Sequence, residues 1–384
     1  MMRPLEGLKV LELARILAGP WVGQVLADLG ATVIKVESPK GDDTRTWGPP
    51  FIERDGDRSA AYFYSCNRGK LSVTADLTQE DGRRWVSDLA SEADVFIENF
   101  KVGGLAKYGL DYATLSALNP GLVYCSITGF GQDGPYAERA GYDYLVQGMS
   151  GLMSITGSPE SEPQKVGVAV TDIYTGLYAV SAIQATLLSR THTGHGDHID
   201  MSLLDAGTAT LANQAMNYLS TGIAPTRMGN SHPNIVPYQV FPCADGDIII
   251  AAGNDRQFQS LCKILDRADL GANPEYATNA ERVRMRDILV PELSVETRAW
   301  KKATLLAALD AEKVAASPIN SVAEVFEDPQ IKARGLRIEP QGVPGVRSPI
   351  QFSENALALE RTAPKLGEHT ELVRANGWQL DASP

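Results

Sequence analysis

The sequence predicts an α/β fold, because short apolar strands alternate with amphipathic helices along most of the chain. Leu8–Leu13 is a predicted strand, Trp21–Leu29 a helix and Ala31–Val36 a second strand, which together form a β-α-β unit. Other strands are predicted at Leu71–Leu77, Val95–Ile97, Leu122–Ile127 and Ile199–Leu203, with a helix at Gln79–Ala90. A chain of 384 residues exceeds what one core usually supports, so two domains, or one large domain with a lobe, are expected.

Composition and charge disfavour several classes of partner. Hydrophobic residues make up 43% of the chain, enough to bury a sizeable core. The net charge of −12 disfavours nucleic acid or an anionic membrane as the main partner, since both bind basic surfaces. No segment approaches the roughly 18 apolar residues of a membrane span, and the N-terminus lacks the apolar core of a signal peptide. A soluble, cytoplasmic protein is therefore expected.

The cysteines and histidines do not form a recognisable metal site. Four cysteines are widely spaced and are expected to be buried thiols: Cys66, Cys125, Cys243 and Cys262. Three histidines cluster at His192, His195 and His198, but the cluster lacks the helical H-x-x-x-H spacing and a remote third ligand group. No metal is expected, and the absence of a G-x-S-x-G motif disfavours a serine hydrolase.

Asp172 is the residue around which we predict a site. The apolar run Val166–Val170 predicts a buried strand, and the apolar spacing from Ile173 onward predicts a helix with one buried face. A carboxylate at such a junction lies near free backbone N–H groups and the positive end of a helix dipole. The alternative is that Asp172 only caps the helix, because Asp is a favoured N-cap residue.

Two earlier segments carry further candidates. The long loop from Ser38 to Asp57 contains Arg45 close to Trp47, and Arg45 either binds a carboxylate through two parallel hydrogen bonds or is a solvated charge. Asn99 and Phe100 directly follow a predicted strand, where ligands of open α/β sheets bind, although Asn99 could instead bond its own turn.

The second half of the chain starts with a predicted long helix at Leu204–Leu219. Three prolines between Ser220 and Pro237 indicate a boundary between lobes. Tyr238–Phe241 and Asp247–Ala251 are predicted to pair as a hairpin with an Asp-Gly turn. Helices are expected up to Leu309, short strands after Leu336 and a last helix near Thr370.

Several segments and one aspartate match the pattern of a known family over essentially the whole chain. They are Leu5–Leu11, Ala18–Pro20, Gly30–Glu37, Glu98–Phe100, Gly129–Gly131, the segment that ends in Asp172, and Leu366–Thr370. Through them the chain resembles the class III coenzyme A (CoA) transferases, the family that includes carnitine-CoA transferase, formyl-CoA transferase and α-methylacyl-CoA racemase.

The resemblance implies that Asp172 is a nucleophile. Its carboxylate would attack the thioester of a donor acyl-CoA and give a mixed anhydride, which the released thiolate converts to an aspartyl-CoA thioester. An acceptor acid would then take the CoA through a second anhydride. Acyl-CoA and CoA are thus expected as substrates, with no permanently bound cofactor.

Candidate CoA contacts follow from the same resemblance. They are Leu17, Ala18, Asp76, Leu77, Asn99, Phe100, Lys107, Gly141, Tyr142 and Asp143. Lys107 is expected either to bind a CoA phosphate or to be a solvated lysine. Leu17 stands where formyl-CoA members have glutamine, and Tyr142 where racemases have a catalytic histidine, so both activities are disfavoured.

The family also implies the architecture. A large Rossmann-like domain would comprise residues 1–220 and 331–384, with a smaller α/β domain of residues 221–330 inserted between them. Two such chains would form an interlocked homodimer. The glycine-rich active-site loop of the family corresponds here to the segment with Gly253 and Asn254, which has a single glycine.

Residues 41–50, 139–143 and 236–239 are most similar to the succinyl-CoA:glutarate type of the family, whose substrates are dicarboxylates. The carboxylate that does not react must be neutralised in a partly dry cleft. The predicted substrate-binding residues are therefore Arg45 and Arg227, accompanied by Trp47, His232, Gly253 and Asn254. Succinyl-CoA is expected as the donor and a dicarboxylate such as glutarate as the acceptor.

Three alternatives remain open. The first is another specificity within the family, of the formyl-CoA/oxalate or carnitine type. The second is an NAD(P)-dependent oxidoreductase built on the first β-α-β unit, although its turn lacks the G-x-G-x-x-G pattern that lets backbone approach a pyrophosphate. The third is a non-catalytic acyl-CoA-binding protein.

Overall fold

The structure, a computed structural model, describes residues 2–380. Its strands are β1 (Lys9–Glu12), β2 (Thr32–Glu37), β3 (Phe51–Arg54), β4 (Asp57–Ala60), β5 (Leu71–Thr74), β6 (Val95–Glu98), β7 (Val123–Thr128), β8 (His198–Ser202), β9 (Tyr238–Cys243), β10 (Gly246–Ala251), β11 (Ala315–Pro318), β12 (Arg337–Ile338) and β13 (Gly345–Val346).

The helices vary in length from four to 24 residues. They are α1 (Ala18–Asp28), α2 (Ala61–Ser65), α3 (Glu80–Ser91), α4 (Tyr112–Leu118), α5 (Asp143–Met149), α6 (Leu152–Ile155), α7 (Val170–Thr193), α8 (Leu203–Ala209), α9 (Ala212–Thr221), α10 (Asp255–Ile264), α11 (Ala268–Ala272), α12 (Asn279–Arg284), α13 (Arg286–Thr297), α14 (Lys302–Ala311), α15 (Val322–Glu327), α16 (Pro329–Ala333) and α17 (Thr370–Asn376). Short 3₁₀ turns occur at Asp43–Thr46, Ala106–Tyr108, Pro274–Tyr276 and Pro340–Gly342. Within residues 2–380, no helix is both long enough and apolar enough to span a membrane.

The chain divides into two compact units. The first comprises Met1–Leu152, Lys165–Ser220 and Pro329–Pro384, so it uses both ends of the chain. The second comprises Met153–Gln164 and Thr221–Asp328.

A six-stranded parallel sheet organises the first unit. Its strand order is β5-β2-β1-β6-β7-β8, and every neighbouring pair is parallel. The order reverses between β1 and β6, as in doubly wound sheets, where ligands bind beyond the carboxyl ends of the strands at that reversal. The predicted α/β class is confirmed.

Alternate residues of the central strands serve two separate cores. On β1, Leu11 belongs to one buried cluster and Val10 to the other, as expected when successive side chains point to opposite faces. Helices α3 and α17 contribute to the cluster that contains Leu11. Helices α1 and α7 contribute to the cluster that contains Val10, so these two helices lie on the same face of the sheet.

The second unit has its own sheet and its own core. Strands β9 and β10 form the predicted antiparallel hairpin, and β11 extends it on the other side of β10. Gly246 begins β10 with φ of +128°, a backbone conformation that side chains rarely adopt. Apolar residues of these strands and of helices α10, α13 and α14 form one buried cluster, which includes Phe241, Phe258 and Leu289.

The predicted strand at Val166–Val170 is wrong. Helix α7 already begins at Val170, and the preceding residues form no strand, with Gly167 and Val168 exposed. Gln147 of α5 takes up backbone groups that strand pairing would otherwise use, since its side chain accepts from the Val166 N–H and donates weakly to the Val168 carbonyl. The apolar run at Val166–Val170 therefore predicted a buried strand, whereas Gly167 and Val168 are exposed.

Two other differences reflect backbone geometry that apolar spacing does not reveal. The predicted helix at Leu204–Leu219 is two helices, α8 and α9, and Ala212 at the break has φ of +46°. The predicted loop up to Asp57 contains strand β3, which pairs with β4 across a turn at Asp55 and Gly56, both with positive φ.

Candidate active site

A cleft of about 750 Å³ opens in the first unit where the strand order reverses. Its walls come from the segments that follow β1, β6 and β7 and from the first turns of α5 and α7. The lining residues are Arg15, Ile16, Leu17, Ala18, Asp43, Trp47, Asn99, Phe100, Lys101, Val102, Gly104, Lys107, Tyr108, Ile127, Thr128, Gly129, Ala137, Arg139, Ala140, Gly141, Tyr142, Asp143, Asp172 and Leu203.

Asp172 contributes a carboxylate to this cleft from the first turn of α7. The residue that precedes the helix is Ala169, so Asp172 is not its N-cap. Burial, together with the like charge of the Asp143 carboxylate, raises the pKa of Asp172 to about 7. Across residues 2–380, no hydrogen bond is made to the Asp172 side chain. A basic, unpartnered carboxylate of this kind is available as a nucleophile.

Asp143, at the start of α5, fixes the turn that carries Asp172. One of its carboxylate oxygens accepts from the Thr171 backbone N–H at 2.9 Å and from the Thr171 hydroxyl at 2.6 Å. Its other oxygen accepts from the Gln147 side-chain amide at 2.8 Å. Sequence reasoning assigned Asp143 only to the CoA-binding turn. Its role in holding the nucleophile's helix was missed because it depends on a contact across 28 residues.

Helices α1 and α7 approach closely one turn beyond Asp172. A methyl group on Gly176 would lie only 3.0 Å from the Ala18 carbonyl oxygen and 3.2 Å from the Trp21 ring. Glycine at this position therefore allows the start of α1 to pack against α7. Ala18, which is nearly buried, lines the cleft at that point.

Asn99 joins the two loops at the strand reversal. Its side-chain carbonyl accepts from the Arg15 N–H at 2.9 Å, and its amide donates to the Arg15 carbonyl at 2.7 Å. The alternative that Asn99 bonds its own turn is thus wrong. The neighbouring Phe100 N–H donates to the Glu98 carboxylate at 2.7 Å, and burial raises the pKa of Glu98 to about 7. The loop at Arg15 is therefore held by the Asn99 side chain, and the loop at Phe100 by the Glu98 side chain at the end of β6.

Basic side chains line the cleft despite the overall negative charge of the chain. They are Arg15, Lys101, Lys107 and Arg139. Arg15 forms a 3.0 Å ion pair with Asp43, and both side chains are about half exposed, at 53% and 51%. The Arg139 guanidinium lies over the Tyr136 ring at 4.6 Å. These groups form the local basic cluster that an anionic ligand needs.

Most of the predicted CoA contacts lie in this one cleft, although their role in CoA binding stays a prediction. They are Leu17, Ala18, Asn99, Phe100, Lys107, Gly141, Tyr142 and Asp143. Asp76 and Leu77 do not line it: Asp76 accepts from the N–H and hydroxyl of Thr78, and Leu77 packs against the core. Trp47 does line the cleft, 46% exposed, with its ring against Tyr62 at 5.5 Å between centroids.

The expectation that Arg45 binds substrate is wrong. Its guanidinium makes two hydrogen bonds to the Glu37 carboxylate, at 2.8 and 2.7 Å, and a third to the Ser59 hydroxyl. It also lies 3.6 Å from the centre of the Phe63 ring and is only 5% exposed. Arg45 does make the predicted bidentate contact to a carboxylate, but the carboxylate is that of Glu37 in the same chain. Arg15 and Arg139 were missed, although Arg15 directly precedes the Ile16–Leu17 turn.

The remaining candidates belong to the second unit. Asn254 caps helix α10 by accepting from the Gln257 N–H, and the Gln257 side chain accepts from the Gly253 N–H. Arg227 donates to the Ser158 carbonyl at 3.3 Å, and the His232 ring accepts from a backbone N–H at 3.1 Å. Their part in substrate binding stays a prediction.

Side chains that could bind a metal ion do not come together in the described part of the chain. Among the described residues 2–380, no group of three or more His, Cys, Asp or Glu side chains is placed to hold a metal ion. His198 of the sequence cluster contacts the Ser126 hydroxyl at 2.9 Å and stacks on Tyr112.

Comparisons with known proteins agree on one family. The model of CoA-transferase family III matches residues 5–370. The chain is 57% identical over 380 residues to the succinate–glutarate CoA-transferase of Agrobacterium fabrum, covering 97% of this chain and 95% of that one. It is 42% identical to the human succinyl-CoA:glutarate CoA-transferase (96% and 84% covered) and 38% identical to the acetyl-CoA:oxalate CoA-transferase of Acetobacter aceti (97% and 95%). The crystal structure of a CAIB/BAIF family protein from Brucella suis superposes with a TM-score of 0.90 at 61% identity, covering 98% of this chain and 99% of that one.

Proposed function

Because this chain belongs to CoA-transferase family III, we propose that it moves CoA from succinyl-CoA to a free dicarboxylic acid such as glutarate, with Asp172 as the nucleophile. The observation that carries the proposal is the unpartnered Asp172 carboxylate in a cleft lined by basic side chains. The activity named for the relatives at 57% and 42% identity supports this choice of substrates.

The reaction proceeds by four acyl transfers. The Asp172 carboxylate attacks the succinyl thioester, which gives a succinyl-aspartyl anhydride and releases the CoA thiolate. The thiolate attacks the aspartyl carbonyl, so succinate leaves and an aspartyl-CoA thioester forms. The acceptor carboxylate attacks that thioester and releases the thiolate again. Thiolate attack on the acceptor's carbonyl in the new anhydride gives the product CoA ester and restores Asp172.

Each step develops negative charge on a carbonyl oxygen, which backbone N–H groups can stabilise. Helix α1 begins at Ala18 beside the cleft, and the first N–H groups of a helix have no acceptor within it. The N–H groups of Ala18 and Gly19 are therefore the donors we propose. Pro20, the third residue of the helix, has no N–H to offer.

Arg15 replaces Arg45 as the residue proposed to bind the carboxylate that does not react. It lines the cleft two residues before Leu17, and a single ion pair with Asp43 leaves guanidinium donors available. A substrate carboxylate could compete with Asp43, because an exposed ion pair contributes little stability. Arg227 remains a second candidate.

Other functions fit less well. The alternative prediction of an NAD(P)-dependent oxidoreductase is wrong, because the chain belongs to CoA-transferase family III. Transfer to oxalate remains an alternative, since a relative at 38% identity carries that name. A protein that binds acyl-CoA without transferring it would keep the cleft but form no new CoA ester.

We also propose the domain and subunit arrangement that the family resemblance implies. Residues 1–220 and 331–384 form the large domain and residues 221–330 the smaller one, except that Met153–Gln164 belong to the second compact unit, which ends at Asp328. Two chains form an interlocked homodimer. Apolar side chains that this single chain leaves exposed support a dimer, among them Tyr178 and Leu188 on α7 and Met216 and Leu219 on α9. A light-scattering mass equal to the 41.4 kDa of one chain would contradict it.

The substrate assignment is tested by incubating the protein with succinyl-CoA and a panel of free acids. Mass spectrometry should find glutaryl-CoA as the main new ester, with little oxalyl-CoA. Oxalyl-CoA as the main product would leave the family assignment but overturn the proposed acceptor. No new ester with any acid would favour the non-catalytic alternative.

A further inference from the structure

A buried group of charges lies next to the turn between β1 and α1, outside the residues that the reaction itself uses. Lys35 of β2 is fully buried and pairs with two carboxylates, Glu12 and Asp42, each at 3.0 Å. The same ammonium donates to the Ala14 carbonyl at 2.7 Å. This arrangement ties the main chain after β1 to a fixed charge network.

Ile16, in the middle of this turn, adopts a conformation unusual for its residue type. Its φ is +72°, in the left-handed region that a β-branched side chain disfavours. Such a conformation persists only when neighbouring contacts impose it. Ile16 lines the cleft and is followed there by Leu17.

Asp42 supplies the contact to Ile16. The Ile16 N–H lies 3.3 Å from both of its carboxylate oxygens. Asp42 is itself held by the Lys35 ammonium and by the N–H and hydroxyl of Thr44, at 3.0 and 2.8 Å. Burial opposes ionisation, but Lys35 and Thr44 outweigh it and keep the pKa of Asp42 below its usual value. An ionised, immobile acceptor thus faces the Ile16 N–H.

We propose that Asp42, fixed by Lys35, is a positioning residue for CoA transfer, because it holds Ile16 in the left-handed conformation that brings the following main chain into the cleft beside Asp172. The inference rests on the proposed function and goes beyond it, since Asp42 touches no reacting atom.

The test compares the Asp42→Asn substitution in two backgrounds. In the otherwise unchanged chain, the asparagine side chain would place an N–H donor opposite the Lys35 ammonium or the Ile16 N–H, which are themselves donors. Ile16 should then leave its left-handed conformation. We expect kcat for CoA transfer to fall at least tenfold. In the Ile16→Gly background the left-handed conformation is accessible without Asp42, so the same substitution should lower kcat less than threefold.

Stability provides the matched control. Asp28 is also buried and paired, with Arg68, but it lies outside the cleft. Asp28→Asn should lower the melting temperature as Asp42→Asn does, with kcat unchanged. If Asp42→Asn fails to fold, Thr44→Val removes one of the bonds that hold Asp42 and should show the same dependence on residue 16 with a smaller factor.

Provided that the wild-type chain transfers CoA, two results would overturn the inference. One is an equal loss of kcat from Asp42→Asn in the two backgrounds; the other is a loss of kcat in Asp28→Asn as large as in Asp42→Asn. Failure of the wild-type chain to transfer CoA to any acid would instead overturn the proposed function, and this inference with it.

Discussion

Asp143 binds both the backbone N–H and the hydroxyl of Thr171, the residue immediately before Asp172. The same carboxylate therefore positions the helix turn of the nucleophile and, as a like charge, raises the pKa of Asp172. These two effects can be separated by substitution.

Asp143→Asn should shift the pH dependence of transfer. Activity requires ionised Asp172, so kcat/KM should fall as pH drops below about 7 in the wild type. Without the Asp143 charge the pKa of Asp172 falls, and the acid limb should move to lower pH, together with a loss of kcat from the loosened turn. Thr171→Val is the control, because it removes the hydroxyl bond but keeps the charge, and should leave the limb in place. An acid limb that is the same in all three proteins would contradict this account.

Asp172→Asn should stabilise the protein in a pH-dependent way. A carboxyl whose pKa rises on folding, from 3.8 to about 7, destabilises the folded state progressively as pH rises through this window, and uniformly above it. The neutral isostere avoids that cost, on the order of 1–2 kcal/mol for a partly exposed group. The variant should melt at least roughly 2 °C above wild type at about pH 8, with little difference at about pH 4. A difference that does not change with pH would show that Asp172 is not the group responsible.

Gly176→Ala should impair catalysis although alanine favours helices. The added methyl would press on the Ala18 carbonyl oxygen and separate α1 from α7. Overpacking of this kind costs about 1–3 kcal/mol, more than the roughly 0.5–1 kcal/mol that alanine gains in a helix. We expect a lower melting temperature and a kcat reduced about tenfold if the displacement reaches the reacting groups. Ser91→Ala, at an exposed position of α3 outside the cleft, should change neither quantity.

Arg15→Gln should reduce selectivity for dicarboxylates. The loss of a charge-assisted contact costs roughly 1.5–3 kcal/mol, so kcat/KM for glutarate should fall about 10-fold to 100-fold. The value for propionate, which has no second carboxylate, should change much less. Arg58→Gln, which removes an exposed arginine paired with Glu53, is the matched control. Equal proportional losses for glutarate and propionate would exclude Arg15 as the determinant.

Arg45→Ala should act on stability and not on selectivity. It would leave the buried Glu37 carboxylate without its guanidinium partner, which costs about 3–5 kcal/mol. Chemical denaturation should measure this loss, and glutarate and propionate activities per folded molecule should fall in the same proportion. A selective loss of glutarate activity would restore Arg45 as a substrate contact.

Local patterns in the sequence were sufficient for the sheet and for the place of the cleft. The sheet strands β1, β2, β5, β6 and β7 are short, largely apolar runs. The reversal rule places Asn99 and Phe100 near a ligand without further information. The sequence predictions that were wrong concern features that depend on partners distant in sequence or on single backbone angles. Val168 is apolar yet exposed, because Gln147 occupies the neighbouring backbone groups, and Arg45 is taken by Glu37 instead of a substrate.

Trapping the activated Asp172 carbonyl of the aspartyl-CoA thioester with hydroxylamine tests the central claim most directly. The protein is mixed with succinyl-CoA, quenched with hydroxylamine and digested, and the peptide that contains Asp172 is examined by mass spectrometry. A hydroxamate at Asp172 that requires succinyl-CoA and is lost in Asp172→Asn, together with loss of glutaryl-CoA formation, is the predicted result. Continued glutaryl-CoA formation by Asp172→Asn, or a hydroxamate on a different carboxylate, would contradict the account.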